Sequence, residues 1–171
     1  MIILITGASH TGKTLFAQKL LEKYHYPNLS IDHLKMGLLR SQMIDVDIED
    51  NDGLTQVLWP IVREMIKTAI ENNQHMIIEG CYVPFDWKKD FEKDYLEQIE
   101  YICLCMSEDY IEQNFDVIRE NGSVIENRID ESYFTLEMCK RENKFYLNGC
   151  LKYDLRYFLI DEKYPDLNQL L

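Results

Sequence analysis

Gly7-Ala8-Ser9-His10-Thr11-Gly12-Lys13-Thr14, preceded by the apolar run Met1-Ile2-Ile3-Leu4-Ile5-Thr6, decides how the rest of this chain is read. The octapeptide fits the pattern G-x-x-x-x-G-K-[ST], in which a glycine-bearing loop wraps a phosphate with backbone N–H groups. In that chemistry a lysine, here Lys13, reaches the β- and γ-phosphates, and a hydroxyl, here Thr14, serves Mg²⁺. The apolar run reads as a buried strand. Phe16, Leu20 and Lys23 follow at helical spacing, so a helix N-terminus adds its dipole to the anion site. The spacing therefore predicts an ATP site contacted by Gly7, Ala8, Ser9, His10, Thr11, Gly12, Lys13, Thr14 and Leu15. A strand-turn-helix carrying a chance Gly-Lys-Thr is the alternative, and the flanking strand and helix argue against it.

The chain has 171 residues and is 46% hydrophobic, enough for one sizeable core and most simply a single domain over 1–171. Its net charge of −12, without a Lys/Arg cluster, argues against nucleic acid as a partner. It does not argue against ATP, because a P-loop makes its own local positive field. No apolar run approaches the roughly 20 residues a membrane helix needs. Met1 leads straight into the first strand, so the expectation is a cytoplasmic protein with neither signal peptide nor membrane partner. Cys103 and Cys105 alternate along a strand-like run and read as packing residues, as do Cys139 and Cys150 in a helical stretch.

Strands and helices alternate along the chain, the pattern of an α/β fold with a parallel sheet and crossover helices. The expected strands are 2–6, 28–32, 75–79, 101–106 and 156–161. Between the second and third, Leu54, Val57, Leu58, Ile61, Val62, Met65, Ile66, Ala69 and Ile70 hold one apolar helical face. Pro60 should kink that helix or start a new one. The stretch 34–72 exceeds a minimal crossover and is expected to be a helical substrate-covering subdomain. Its Arg40 and Arg63 could grip an anionic acceptor. The acidic run from Asp45 to Gly53 tempts a calcium-loop reading that fails on register, since Ile48 would take the first ligand position.

Strand C-termini are where such sheets place chemistry. Asp32, at the expected end of the second strand, is the candidate to orient or deprotonate an acceptor hydroxyl and to help with the metal; an N-cap for the following helix is its bland alternative. Glu79, ending Met76-Ile77-Ile78, is the candidate for the Mg²⁺ side. Cys81, just beyond, is placed to touch substrate. Asp161 reads as a turn residue.

With these residues in view, the P-loop, the segment Ser30-Ile31-Asp32 with Leu34 to Arg40, and Glu79-Gly80-Cys81-Tyr82-Val83-Pro84 together resemble the P-loop small-molecule and nucleotide kinases. Within that superfamily the chain looks most like 2-phosphoglycerate-kinase-like or adenylate-kinase-like proteins. The resemblance implies a three-layer P-loop NTPase fold whose five-stranded sheet runs in the order 2-3-1-4-5. It implies ATP and Mg²⁺ as cofactors, a small-molecule acceptor held by Asp32, Gly80, Cys81 and Tyr82, and an adenine pocket around Lys163 and Tyr164. It also implies an arginine-bearing lid over 107–132. Arg128 is preferred there over Arg119 as an internal arginine finger, because it follows the turn at Asn121-Gly122-Ser123; Lys140 and Arg141 are weaker candidates. Two features depart from the family. The Asp-Gly-Phe-Pro-Arg segment of adenylate kinases is replaced here by Glu79 to Pro84 without arginine, which argues against AMP as acceptor. His10 stands where many relatives have glycine, so the backbone there is expected to be ordinary and the ring to point away from the phosphates. The expected activity is γ-phosphoryl transfer to a small molecule; a nucleotide-sensing module without transfer, or a simple ATPase, would carry the same P-loop.

Overall fold

The computed structural model describes residues 1–122 and 134–167. Five parallel strands, β1 (Ile2–Gly7), β2 (Asn28–Ser30), β3 (Met76–Glu79), β4 (Ile99–Met106) and β5 (Tyr157–Ile160), form one sheet in the order β2-β3-β1-β4-β5. β1 is central, pairing with β3 from Ile2↔Met76 and with β4 from Ile2↔Ile99. Burial of all its residues explains why it reads as a continuous apolar run rather than an alternating one.

Successive residues of β1 feed opposite layers. Ile2 and Leu4 join a core with Ile31, Leu54, Leu58, Val62, Ile66 and Tyr146. These come from helices α2 (Ile31–Arg40), α3 (Asn51–Glu71) and α6 (Leu136–Lys152). Ile3 and Ile5 pack on the other side against Phe16, Ala17 and Leu20 of α1 (Lys13–Tyr24). A third cluster joins Met106 and Ile160, at the ends of β4 and β5, to Tyr110, Ile111 and Ile118 of α5 (Glu108–Asn121). A short helix α4 (Lys93–Leu96) precedes β4. The result is the three-layer arrangement, with the strand order that the resemblance implied.

Three local expectations change. The second strand stops at Ser30, whose extended backbone (φ −84°, ψ 122°) caps α2, so Asp32 lies in the first turn of that helix and neither ends the strand nor caps it. The cause is Ile31, fully buried where the β2 and β3 ends meet: a Cβ on Gly80 would lie 2.7 Å from the Ile31 Cβ. Pro60 starts no new helix and sits inside α3. Both Pro60 and Gln56, whose carbonyl loses its intrahelical donor, are exposed, which lowers the cost of the missing bond. The buried face of α3 is also narrower than its apolar pattern, with Ile61 exposed and Trp59 buried in its place; the Trp59 indole donates to Asp90 Oδ2 at 2.7 Å.

Candidate functional site

The loop between β1 and α1 turns on residues of positive φ. Gly12 caps α1 with φ 85°, and Gly7 has φ 138°. A Cβ on Gly7 would fall 2.1 Å from the Leu104 carbonyl oxygen, so only glycine lets β1 leave the sheet beside β4. His10 corrects the expectation of an ordinary backbone: its φ of 63° is left-handed. Its ring stacks on Phe134 at 3.8 Å between centroids, a contact that offsets the strain of a non-glycine residue there. Thr11 Oγ1 donates to the Ala8 carbonyl at 2.8 Å, closing the loop from within. Tyr164 donates to the Thr11 carbonyl at 3.1 Å and lies against Gly12, so the segment after β5 braces the loop.

Lys13 is buried, and its ammonium donates to the Ala8 carbonyl at 2.7 Å. Burial works against the charge, but Cys81, Glu79 and Asp32 outweigh it and hold the lysine above its usual pKa. Burial also raises the Cys81 thiol, which is therefore neutral at pH 7, so the two carboxylates do the holding. Thr14 donates to Glu79 Oε2 at 3.4 Å, and Glu79 is 1% exposed. The Glu79 carboxylate and the Thr14 hydroxyl are hard oxygen donors of the kind Mg²⁺ takes. Among the described residues no group of three His, Cys, Asp or Glu is placed to hold a metal ion.

Beside this lies a second constellation. Asp32 Oδ1 accepts from Lys35 Nζ at 2.6 Å, and the same ammonium donates to the Tyr82 hydroxyl at 2.9 Å. Burial opposes the Lys35 charge, yet Asp32 and the bonds to Asp32 and Tyr82 raise its pKa. Burial raises the Tyr82 phenol against the pull of Lys35, so it keeps its proton. Cys81 Sγ donates to the Gly7 carbonyl at 3.6 Å, which fixes the turn after β3 against the P-loop. Gly80, with φ 158°, makes that turn.

Helix α6 closes the same face. Its Glu142 accepts the Ser9 N–H at 3.3 Å, a carboxylate on a phosphate-type donor. Asn143 Oδ1 accepts from the Met106 N–H at 2.7 Å, and the Tyr146 hydroxyl donates to the Cys81 carbonyl at 2.7 Å. These bonds tie α6 to the C-terminal ends of β3 and β4, where the P-loop also lies.

The P-loop, Asp32, Glu79, Gly80, Cys81 and Tyr82 are thus brought to one end of the sheet. Arg40 is exposed in the last turn of α2. Arg63 is engaged by Glu64 at 2.7 Å and Asp90 at 3.8 Å. Arg119 is exposed on α5 and pairs with Asp116 at 3.2 Å. Lys140 pairs with Glu112 and with Glu108, the latter at 3.5 Å, and Arg141 is exposed. Arg128 lies outside the described residues. Lys35, Glu142, Asn143 and Tyr146 were missed from sequence. Lys35 had a signal, since an Asp followed by Lys at i+3 shares a helix face; the other three meet the site only through folding.

No family model matches the chain. Adenylate kinase 1 of Schistosoma mansoni is 24% identical over 148 residues, 79% of this chain and 70% of that protein. A gluconokinase structure from Sinorhizobium meliloti superposes with a TM-score of 0.54 at 14% identity, covering 98% of this chain and 85% of the other. A sugar kinase structure from a Janibacter species gives 0.52 at 15%, covering 98% and 86%. The chain therefore has the fold of the P-loop kinases, as its sequence resemblance implied. No helix among the described residues is long and apolar enough to cross a membrane.

Proposed function

We propose that this protein is a kinase that moves the γ-phosphoryl group of ATP to a small-molecule acceptor. The observation that carries the reading is the meeting of the P-loop lysine with Asp32 and Glu79 at one end of the sheet: Lys13 is buried, and both carboxylates act on it electrostatically. In this reading the Ser9 to Thr14 backbone and Lys13 hold the phosphates, while Thr14 and Glu79 would hold Mg²⁺, which supplies charge neutralisation when bound. Asp32, in the first turn of α2, orients the acceptor hydroxyl and takes its proton. The acceptor oxygen forms a bond to the γ-phosphorus; the bond from that phosphorus to the β,γ-bridging oxygen breaks, and ADP leaves with the electron pair. Tyr164, against Gly12, is the wall of the adenine side. Residues 34–72 would serve as the acceptor-side unit and 107–132 as the lid, with Arg128 or Arg119 neutralising charge on the transferred group.

Lys13→Met and Asp32→Asn test this together. Lys13→Met should abolish transfer and lower the melting temperature, because Glu79 then stays buried without its cation. Asp32→Asn should slow transfer by about 100-fold or more while leaving ATP binding within about 2-fold, as expected for loss of a general base. Normal turnover in Lys13→Met sinks the kinase reading. Binding of ATP with no transfer to any acceptor would instead favour a nucleotide sensor, and release of phosphate to water alone would favour an ATPase.

A further inference from the structure

Resting on the kinase reading, we infer that the acceptor is an uncharged polyhydroxyl molecule and neither a phosphomonoester nor a carboxylic acid. Among the described residues, the ammonium groups at the site are Lys13 and Lys35. Each is already engaged: Lys35 Nζ lies 2.6 Å from Asp32 Oδ1, and Lys13 Nζ donates to the Ala8 carbonyl at 2.7 Å with Glu79 and Asp32 within electrostatic reach. Glu142 adds a further carboxylate, held on the Ser9 N–H at 3.3 Å and within electrostatic reach of Cys81. The nucleotide's own phosphates then claim Lys13. An anionic acceptor would bring more negative charge into a part-buried site where, among the described residues, neither ammonium is left unmatched, and an ion buried without a partner is strongly disfavoured.

The two described arginines of the acceptor side, Arg40 and Arg63, are placed elsewhere, and the lid arginine of the proposed function serves the transferred phosphoryl group. Arg40 is exposed in the last turn of α2, about 12 Å of helical rise from Asp32. Arg63 is taken by Glu64 and Asp90. What the site does offer is hydroxyl chemistry. Asp32 retains Oδ2 to accept from an acceptor O–H, since Oδ1 is the atom bonded to Lys35. Tyr82 accepts from Lys35 and so keeps its own O–H to donate to a neighbouring hydroxyl. An acceptor with adjacent hydroxyls satisfies both groups and leaves the Asp32–Lys35 pair intact. Lys35 is thus a specificity residue: it neutralises Asp32 and fixes the Tyr82 donor.

A metabolite extract separated by anion exchange into uncharged and anionic pools provides the test. Each pool is incubated with the protein, Mg²⁺ and ATP labelled in the γ-phosphate, with Lys13→Met as the blank and label in inorganic phosphate counted separately. Labelled product from the uncharged pool alone is the expected result. Product from the anionic pool, alone or as well, overturns the inference while leaving the kinase reading standing. No product from either pool, with ATP still bound in a melting assay, removes the kinase reading and this inference with it. On the acceptor found, Lys35→Met should raise KM at least about 10-fold, the scale of a lost charged hydrogen bond, with the KM for ATP unchanged. Lys35→Arg should recover part of that loss. A uniform rise in both KM values together with a drop in melting temperature would reduce Lys35 to a structural role and overturn its assignment to specificity.

Discussion

Removing the Glu142 side chain should tighten nucleotide binding. Its carboxylate accepts the Ser9 N–H at 3.3 Å, on a loop whose N–H groups are the phosphate donors of the proposed function. A bound triphosphate and this carboxylate cannot share the donor, and both are anions. The penalty can be bounded from the geometry. A hydrogen bond to a charged group is worth about 1.5–3 kcal/mol, and a long, half-buried one belongs at the lower end, near 1.5. Direct repulsion at an effective dielectric of about 20 and a separation of roughly 5 Å is about 3 kcal/mol per unit charge; a side chain that swings into water avoids most of it. The expected gain for Glu142→Ala is therefore about 1.5 kcal/mol, or roughly 10-fold in Kd. Glu142→Gln should gain less, because its amide oxygen still accepts from Ser9. The assay is titration calorimetry with Mg-ATP, with tripolyphosphate, and with adenosine. The gain should appear for the first two and be absent for adenosine, which carries no phosphate. Helix α6 stays anchored by Asn143 on Met106 and by Tyr146 on Cys81, so the melting temperature should change little. Unchanged or weaker ATP binding in Glu142→Ala would refute the competition, and an equal gain for adenosine would show that the effect is not about phosphate.

Other perturbations separate stability from site chemistry. Asn143→Leu leaves the Met106 N–H buried without its 2.7 Å acceptor and should cost about 1–3 kcal/mol, seen as a melting point lower by roughly 3–10 °C; an unchanged melting point would deny the bond its role. Gly37→Ala should stabilise by about 0.5–1 kcal/mol in chemical denaturation, since the glycine is inside α2 and an added Cβ would meet nothing within 4 Å; a loss would mean that α2 must flex there. Lys35 has its pKa raised on folding from 10.5, so its stabilising contribution is fully present below about pH 10.5 and is lost as pH rises through the folded value. The melting difference between the native chain and Lys35→Met should accordingly be flat from neutrality to about pH 10 and narrow above it; narrowing below pH 9 would contradict the raised value.

The sheet was legible from local pattern because its central strand is buried on both faces and therefore apolar throughout, and because the P-loop fixes the strand-loop-helix unit around it. The order of strands was not: it came through resemblance, since nothing in a strand's own residues names its neighbours. Boundaries failed where a tertiary contact overrode a local signal. Ile31 reads as the next residue of an apolar strand, yet its burial against Gly80 begins a helix and moves Asp32 into the first turn. Pro60 reads as a kink or a new helix start, and of these the new start is not found, since the exposed Pro60 stands inside α3. His10 reads as conformationally ordinary, yet its backbone is left-handed and its ring stacks on Phe134, far along the chain.

The site divides along the same line. The candidate roles of Lys13, Thr14 and the two glycines of the loop are legible from sequence alone, because the anion binding proposed for them needs particular residue types at fixed short spacing. Glu79 was legible as the acid ending a buried strand. The three groups from α6, Glu142 on Ser9, Asn143 on Met106 and Tyr146 on Cys81, are separated from their partners by 133, 37 and 65 residues. No periodicity in α6 marks them, since a helix face records only that it is buried and not what it is buried against. Pairing across such distances is set by how the layers pack, so the tertiary structure alone decided which carboxylate reaches the P-loop and how the charges around Asp32 balance.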